Sequence, residues 1–318
     1  MSAPVFRPAL LHPRYWALWL GLGVLWLVVR LPFRVLLVLG RLVGRVMLIF
    51  MRERRHIAET NLQLCFPQWT HDRRQQVLRD NFESNGIALF EMAMAWWWPP
   101  QRLARLAHVE GLEHLQNAAA AGQGVVLVSL HFTTLELGAA LLGQQVTIDG
   151  MYREHRNPVF DLVQRRGRER HNADARAIER EDVRAMFKSL RSGRAIWYAP
   201  DQDYGRKASV FVPFFGVSAA TVTATSSFAR LGKAQVVPFT QTRLPDAQGY
   251  QLTVHPPLHD FPCGDEQADA LRINQWAEQA IVQQPEQYMW VHRRFKTRPE
   301  GEARPYAARR KRKKRSRV

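Results

Sequence analysis

Five short apolar runs, set among amphipathic stretches, constrain the fold of this chain more than any other feature. The strongest covers residues 124–130 (GVVLVSL), opened by glycine and followed directly by His131. A continuous run rich in β-branched residues, without polar alternation, fits a strand covered on both faces, as in parallel sheets. Residues 146–152, 195–198, 234–239 and 250–254 repeat the pattern. Helical periodicity fills the intervals at 134–142, 159–170, 182–191 and 219–231, with a further stretch at 266–282. Alternation of this kind predicts one α/β domain with a mostly parallel central sheet flanked by helices. A long helix over 71–98 precedes it and must stop at Pro99-Pro100.

The N-terminus follows a different rule. The first 52 residues contain no Asp or Glu, and residues 15–29 are fifteen uncharged positions dense in Trp, Leu and Val. A spanning helix normally takes about 20 apolar residues, and Pro32 interrupts this one early. Arg30, Arg34, Arg41, Arg45 and Arg52 are spaced by 4, 7, 4 and 7. On one continuous helix they would share an arc of roughly 60°. A cationic stripe on an apolar cylinder suits the lipid headgroup layer, either as a short span with an interfacial continuation or wholly interfacial. An amphipathic helix packed on the protein's own core is the alternative. The expected division is an N-terminal hydrophobic membrane helix with an interfacial helix over 1–55, the α/β domain over 56–304, and a disordered basic tail over 305–318. Arginines after the apolar stretch predict a main body on the cytoplasmic side.

The chain has 318 residues and a net charge of +17, and the tail supplies eight of those charges, between Arg309 and Arg317. An excess of this size calls for an acidic partner: nucleic acid, anionic lipid or an acidic protein. No nucleic-acid motif is visible, and an apolar, arginine-bearing N-terminus has no use in such a binder, so no nucleic acid is expected. Two cysteines, Cys65 and Cys263, exclude a disulfide framework and a multi-cysteine zinc site.

Ligands of parallel sheets sit at the carboxyl ends of the strands. His131 stands at such an end, with Glu136 five residues on. On one helix the two would point about 140° apart, but a loop His131 and a first-turn Glu136 converge. That spacing permits a dyad in which the carboxylate orients the imidazole and the imidazole takes a hydroxyl proton. Thr133 and Glu136 also make a plain capping box. No Gly-x-Ser-x-Gly elbow or Gly-rich phosphate loop is present, which favours direct attack by a substrate hydroxyl over a covalent enzyme intermediate. Arg153 follows the second strand, and Arg165, Arg166, Arg168 and Arg170 cluster on the next helix. They suit bidentate phosphate recognition or a solvated face. Asp201 and Asp203 follow the third strand, as ligands for a sugar hydroxyl or an arginine, or as turn residues before Gly205. Two carboxylates without a third ligand leave no metal assigned.

At these residues the sequence resembles the late acyltransferases of lipid A biosynthesis, within the superfamily that includes the glycerol-phosphate acyltransferases. The resemblance is carried by His131-x4-Glu136, the arginine block after it, and Ala199-Pro200-Asp201-Gln202-Asp203-Tyr204-Gly205. Residues 59–67 and 209–216 extend it. Residues 287–301, with His292-Arg293-Arg294-Phe295-Lys296-Thr297-Arg298-Pro299-Glu300-Gly301, look like the lauroyl branch. Arg206-Lys207 after Gly205 and the long basic tail depart from the family pattern. The resemblance implies transfer of a fatty acyl chain, lauroyl in this branch, from acyl carrier protein to a 3-hydroxyacyl hydroxyl of Kdo-modified lipid IVA. It implies His131 and Glu136 as the catalytic dyad, and Arg153, Arg168, Asp201 and Asp203 as substrate-binding positions. No cofactor is implied beyond the acyl-carrier co-substrate. The partners implied are acyl carrier protein, the lipid A precursor and the anionic inner membrane, with the catalytic domain on its cytoplasmic side. The arginines at 165–170 and 293–298 could grip the acceptor's phosphates or dock the acidic carrier.

Overall fold

A computed structural model describes residues 6–172, 174–179 and 181–306. The basic tail beyond residue 306 lies outside the described residues. The helical N-terminal part comprises α1 (Trp16–Val28), α2 (Phe33–Phe50), α3 (Arg52–Cys65), α4 (His71–Trp97) and α5 (Pro100–Ala104). Then come β1 (Ala107–Glu110), α6 (Glu113–Ala120), β2 (Gly124–Val128), α7 (Leu135–Gly143), β3 (Ile148–Tyr152), α8 (Pro158–Glu169) and β4 (Ala177–Glu179). The chain continues through α9 (Val183–Arg191), β5 (Ala195–Tyr198), β6 (Ser209–Phe214), β7 (Val217–Val222) and α10 (Ala224–Gly232). It closes with β8 (Ala234–Arg243), β9 (Tyr250–Val254) and α11 (Glu266–Gln283).

Seven strands form the central sheet in the order β1-β9-β8-β2-β5-β3-β4. Every neighbouring pair is parallel except β8 and β9. The α/β reading with a mostly parallel sheet therefore holds. The period of two explains why β2 is buried at all five positions. Val125 and Leu127 face a core shared with α1, α4 and α7, while Val126 and Val128 face α9 and α10. The expected helix over 219–231 begins later than its periodicity suggested. Residues 217–222 are strand β7, paired antiparallel with β6. Phe215 and Gly216, both at positive φ, make the two-residue turn of that hairpin.

The expected N-terminal membrane helix is not found: among the described residues no helix is long and apolar enough to cross a membrane. α1 has 13 residues, about 20 Å of helix against a hydrocarbon layer of about 30 Å. Pro32 then ends it, and the chain restarts as α2. The single arginine stripe is broken for the same reason. Arg30 stacks on Trp26 at the end of α1, at 3.8 Å; Arg34, Arg41 and Arg45 lie on α2; Arg52 opens α3. α1 and α2 also supply Leu22, Val29 and Leu36 to the core shared with the sheet.

α2 lies against α4 through glycine. A Cβ on Gly44 would collide with the Phe82 carbonyl, one on Gly40 with the Ile87 backbone, and one on Gly86 with the Gly40 carbonyl. Three missing side chains thus let two backbones approach closely. The crossing brings Arg45 to Glu83 at 2.7 Å. The outer faces of α1 and α2 stay apolar and uncovered: Leu20 of α1 and Val38, Ile49 and Phe50 of α2 are all exposed.

Candidate active site

Parallel pairing fixes the centre of the site. β2 and β5 run in register with Val128 beside Tyr198. Three residues beyond each strand, the same offset sets His131 beside Asp201. Both form the contact: Asp201 Oδ1 lies 2.6 Å from His131 Nδ1, and Asp201 Oδ2 accepts the His131 backbone N–H at 3.0 Å. Asp201 is 4% exposed. Burial opposes its charge, but His131 and a hydrogen bond from the Tyr288 hydroxyl outweigh that, holding the carboxyl below the usual range. The His131 side chain keeps 21% exposure, and Nε2 has no protein partner among the described residues.

Glu136 lies in the first turn of α7, where its position after β2 placed it. Its carboxylate does not meet His131. It takes a bidentate grip from Arg168 of α8, with Nε to Oε1 at 2.8 Å and Nη2 to Oε2 at 2.6 Å. The Trp96 indole also donates to Oε1, at 2.9 Å. Burial opposes its ionisation, but Arg168 and Trp96 more than offset this, and its pKa lies below the ordinary value. The two carboxylates of the site therefore hold different partners: Asp201 holds His131 and Glu136 holds Arg168. Thr133 takes no part in a cap of α7, whose N-terminus has no side-chain cap. Its hydroxyl meets Ser84 at 2.7 Å.

A cavity of about 130 Å³ opens beside Glu136 and Arg168. Ala139, Ala140, Ile148, Met151 and Trp197 make its walls apolar. Gly143 and Gly150 also line it, and a Cβ at either would meet nothing within 4 Å. That space is far larger than one water needs and suits a stretch of hydrocarbon.

The C-terminal segment straps the His131 loop in place. Thr133 N donates to Gln287 O at 2.7 Å and Met289 N to His131 O at 3.0 Å. Asp203 is buried in this strap, accepting from Gly205 N, Thr297 N and Thr297 Oγ1 at 2.7–2.9 Å. His292 sits nearby and accepts the Asp203 N–H at 3.3 Å. Burial lowers its pKa to about 4, against the pull of Asp201, so it is neutral at physiological pH. Arg294 is 2% exposed and donates to Ala220 O and Thr221 Oγ1, while Arg298 donates to Ser218 O. Arg293 pairs with Glu53 at 2.7 Å. In the other basic block, Arg170 is tied to Trp96 O at 2.7 Å. Arg153 stands apart, exposed in a cleft with Arg14 and Arg156.

Two features had no sequence signal. The Asp201 contact depends on strand order, which periodicity does not reveal. Beneath the loop lies a buried pair, Arg243 to Glu91, at 2.6 and 2.8 Å. Arg243 also donates to Ser84 at 3.0 Å, and Tyr250 OH donates to Glu91 at 2.8 Å. Among the described residues no cluster of three or more His, Cys, Asp or Glu could hold a metal.

Residues 3–297 match the family model described as bacterial lipid A biosynthesis acyltransferase. The chain is 48% identical over 301 residues to the lipid A biosynthesis lauroyltransferase of Escherichia coli (strain K12), covering 94% of this chain and 98% of that protein. It is 44% identical to the lipid A biosynthesis palmitoleoyltransferase of the same organism, over 95% of this chain and 98% of that one. Identity to the E. coli lipid A biosynthesis myristoyltransferase is 31%, over 95% and 94%. With that coverage from end to end, the chain belongs to the bacterial lipid A biosynthesis acyltransferase family and is an acyltransferase.

Proposed function

We propose that the protein transfers a lauroyl group from acyl carrier protein to the hydroxyl of a 3-hydroxyacyl chain on Kdo-modified lipid IVA. The observation that carries the chemistry is His131, held at Nδ1 and at its backbone N–H by one buried carboxylate, with Nε2 free of protein partners. In the proposed step Nε2 takes the acceptor hydroxyl proton as that oxygen attacks the thioester carbon. The carbon–sulfur bond then breaks, and the imidazolium returns its proton to the departing thiolate. Asp201 orients the ring and stabilises its charged form. Glu136 acts beside this pair by fixing Arg168, whose remaining N–H donors serve an oxygen of the substrate. The apolar cavity next to Glu136 supports a hydrocarbon occupant, and the 48% identity to a lauroyltransferase supports lauroyl.

The same reading has the protein rest on the cytoplasmic face of the inner membrane. The uncovered apolar side of α1 and α2 supports contact with lipid, with arginines at its border for anionic headgroups. No part of this reading has a helix crossing the bilayer.

Acyl transfer from lauroyl-acyl carrier protein to the purified acceptor, followed by mass spectrometry, tests the proposal. His131→Ala and Asp201→Asn should each lose activity by a factor on the order of 10²–10⁴, the range for a lost base or a misoriented one. Full activity in His131→Ala would sink the mechanism. A wild-type enzyme that leaves this acceptor unmodified would sink the substrate assignment.

A further inference from the structure

Two clefts border α8, one at its N-terminus against the turn that precedes α1 and one further along it against α1 and α4. At the α8 N-terminus, Arg14 comes together with the loop after β3, which carries Arg153, Glu154, His155 and Arg156. Arg14 stacks on the Tyr15 ring at 4.5 Å. Among the described residues, none of the three guanidinium groups has an acidic partner, although the cleft contains Glu154. This differs from the other arginines around the site, where Arg168, Arg243 and Arg293 are each taken by a carboxylate. Three exposed guanidiniums without an acidic partner, gathered in one open cleft, make a positive patch suited to an anion.

Further along α8 the second cleft is more apolar. Trp19 of α1, Trp97 of α4, and Leu162 and Val163 of α8 line a groove there, with Arg166 and Arg170 also in its wall. Trp96 and Gly167 line this groove and also the cavity beside Glu136. One indole is therefore the partition between them. A Cβ on Gly167 would collide with Trp96, so the glycine is what allows the partition to sit flush against α8.

We infer that these two clefts hold the acceptor, with an acyl chain in the Trp19–Trp97 groove and a phosphomonoester against Arg14, Arg153 and Arg156. The shared Trp96–Gly167 wall sets the groove directly beside the catalytic cavity, which favours the acceptor over a bulk phospholipid, whose binding has no need of a place next to Glu136. The inference rests on the proposed acceptor being a phosphorylated lipid, and it assigns that lipid's phosphate to a site separate from the Glu136–Arg168 pair. Arginine is suited to the task because its planar fork binds phosphate oxygens two at a time.

The test measures steady-state kinetics for the wild type and the Arg153→Ala/Arg156→Ala double variant with two acceptors, one phosphorylated and one enzymatically dephosphorylated. Both arginines are exposed, so folding is not at stake, and thermal melts check this. The expected result is a KM ten- to a hundredfold higher for the phosphorylated acceptor, with kcat changed less than threefold. With the dephosphorylated acceptor, wild type and variant should have the same KM. A KM rise of equal size for both acceptors would overturn the assignment, as would no rise for either. Equal KM values together with weaker binding of the variant to phosphatidylglycerol vesicles would instead give these arginines to bulk headgroups and overturn it as well. If the wild type acylates neither acceptor, the proposed function fails, which is a distinct outcome.

Discussion

Two arginine–carboxylate pairs of the same geometry stand in opposite surroundings. Arg243–Glu91 is sealed: Glu91 is 1% exposed, Tyr250 and Ser84 complete the network, and the Thr133 loop rests on it. Arg168–Glu136 is open: Arg168 keeps 35% of its side chain exposed, and both residues line the cavity. The ion pair itself is the same bidentate fork in each case. What differs is whether donors remain for something else, and that separates a pair closed within the core from one that faces the cavity.

Substitution can break this contrast. Glu91→Ala leaves Arg243 buried without its counter-charge and should cost about 3–5 kcal/mol of stability, read as a lower denaturation midpoint. An unchanged midpoint would mean that the sealed pair is not structural. Glu136→Gln should do the reverse. Activity should fall by about 100-fold, roughly 2.7 kcal/mol of transition-state free energy, while stability changes by about 1 kcal/mol because Arg168 can turn to water. Loss of folding in Glu136→Gln, with activity per folded molecule intact, would erase the distinction.

A smaller effect separates the strap from the cavity. His292 is held neutral, with its pKa lowered to about 4. Between pH 6.5 and about 4 the unfolded chain binds a proton at this position and the native chain does not, so stability falls as pH falls through that window. His292→Asn removes this contribution and should flatten the stability–pH curve across that window. Parallel stability–pH curves for the two proteins would contradict it. The smallest effect concerns chain length. Gly150→Val fills open cavity space, and each methylene displaced from an apolar site is worth about 0.8 kcal/mol. Competition between lauroyl and decanoyl donors should move several-fold toward the shorter chain; unchanged selection would mean that the chain lies elsewhere.

Much of the fold was legible. The GVVLVSL run had to be a doubly covered strand, because every residue in it needs an apolar neighbour whichever face it points to. The position of His131 just past the carboxyl end of that strand was legible as well, because the apolar run stops there. The N-terminus was misread in two respects: no described helix is long and apolar enough to cross a membrane, and the arginine spacing suited one long helix although Pro32 has no N–H to continue it. The β6–β7 hairpin was missed because apolar residues around 217–222 fit a helix as well as a strand until Gly216 is read as a turn.

By itself, then, the sequence determined five of the nine described strands and that His131 stands at the carboxyl end of the most apolar of them. Those are local properties, set by side-chain period and by backbone limits within a few residues. Only the tertiary structure decided that Asp201, not Glu136, holds His131, and that Glu136 belongs to Arg168. Asp201 is 70 residues away from His131, and its place follows from β5 lying next to β2 in register. Strand order of that kind is a property of the whole packed sheet, with no signature in either segment.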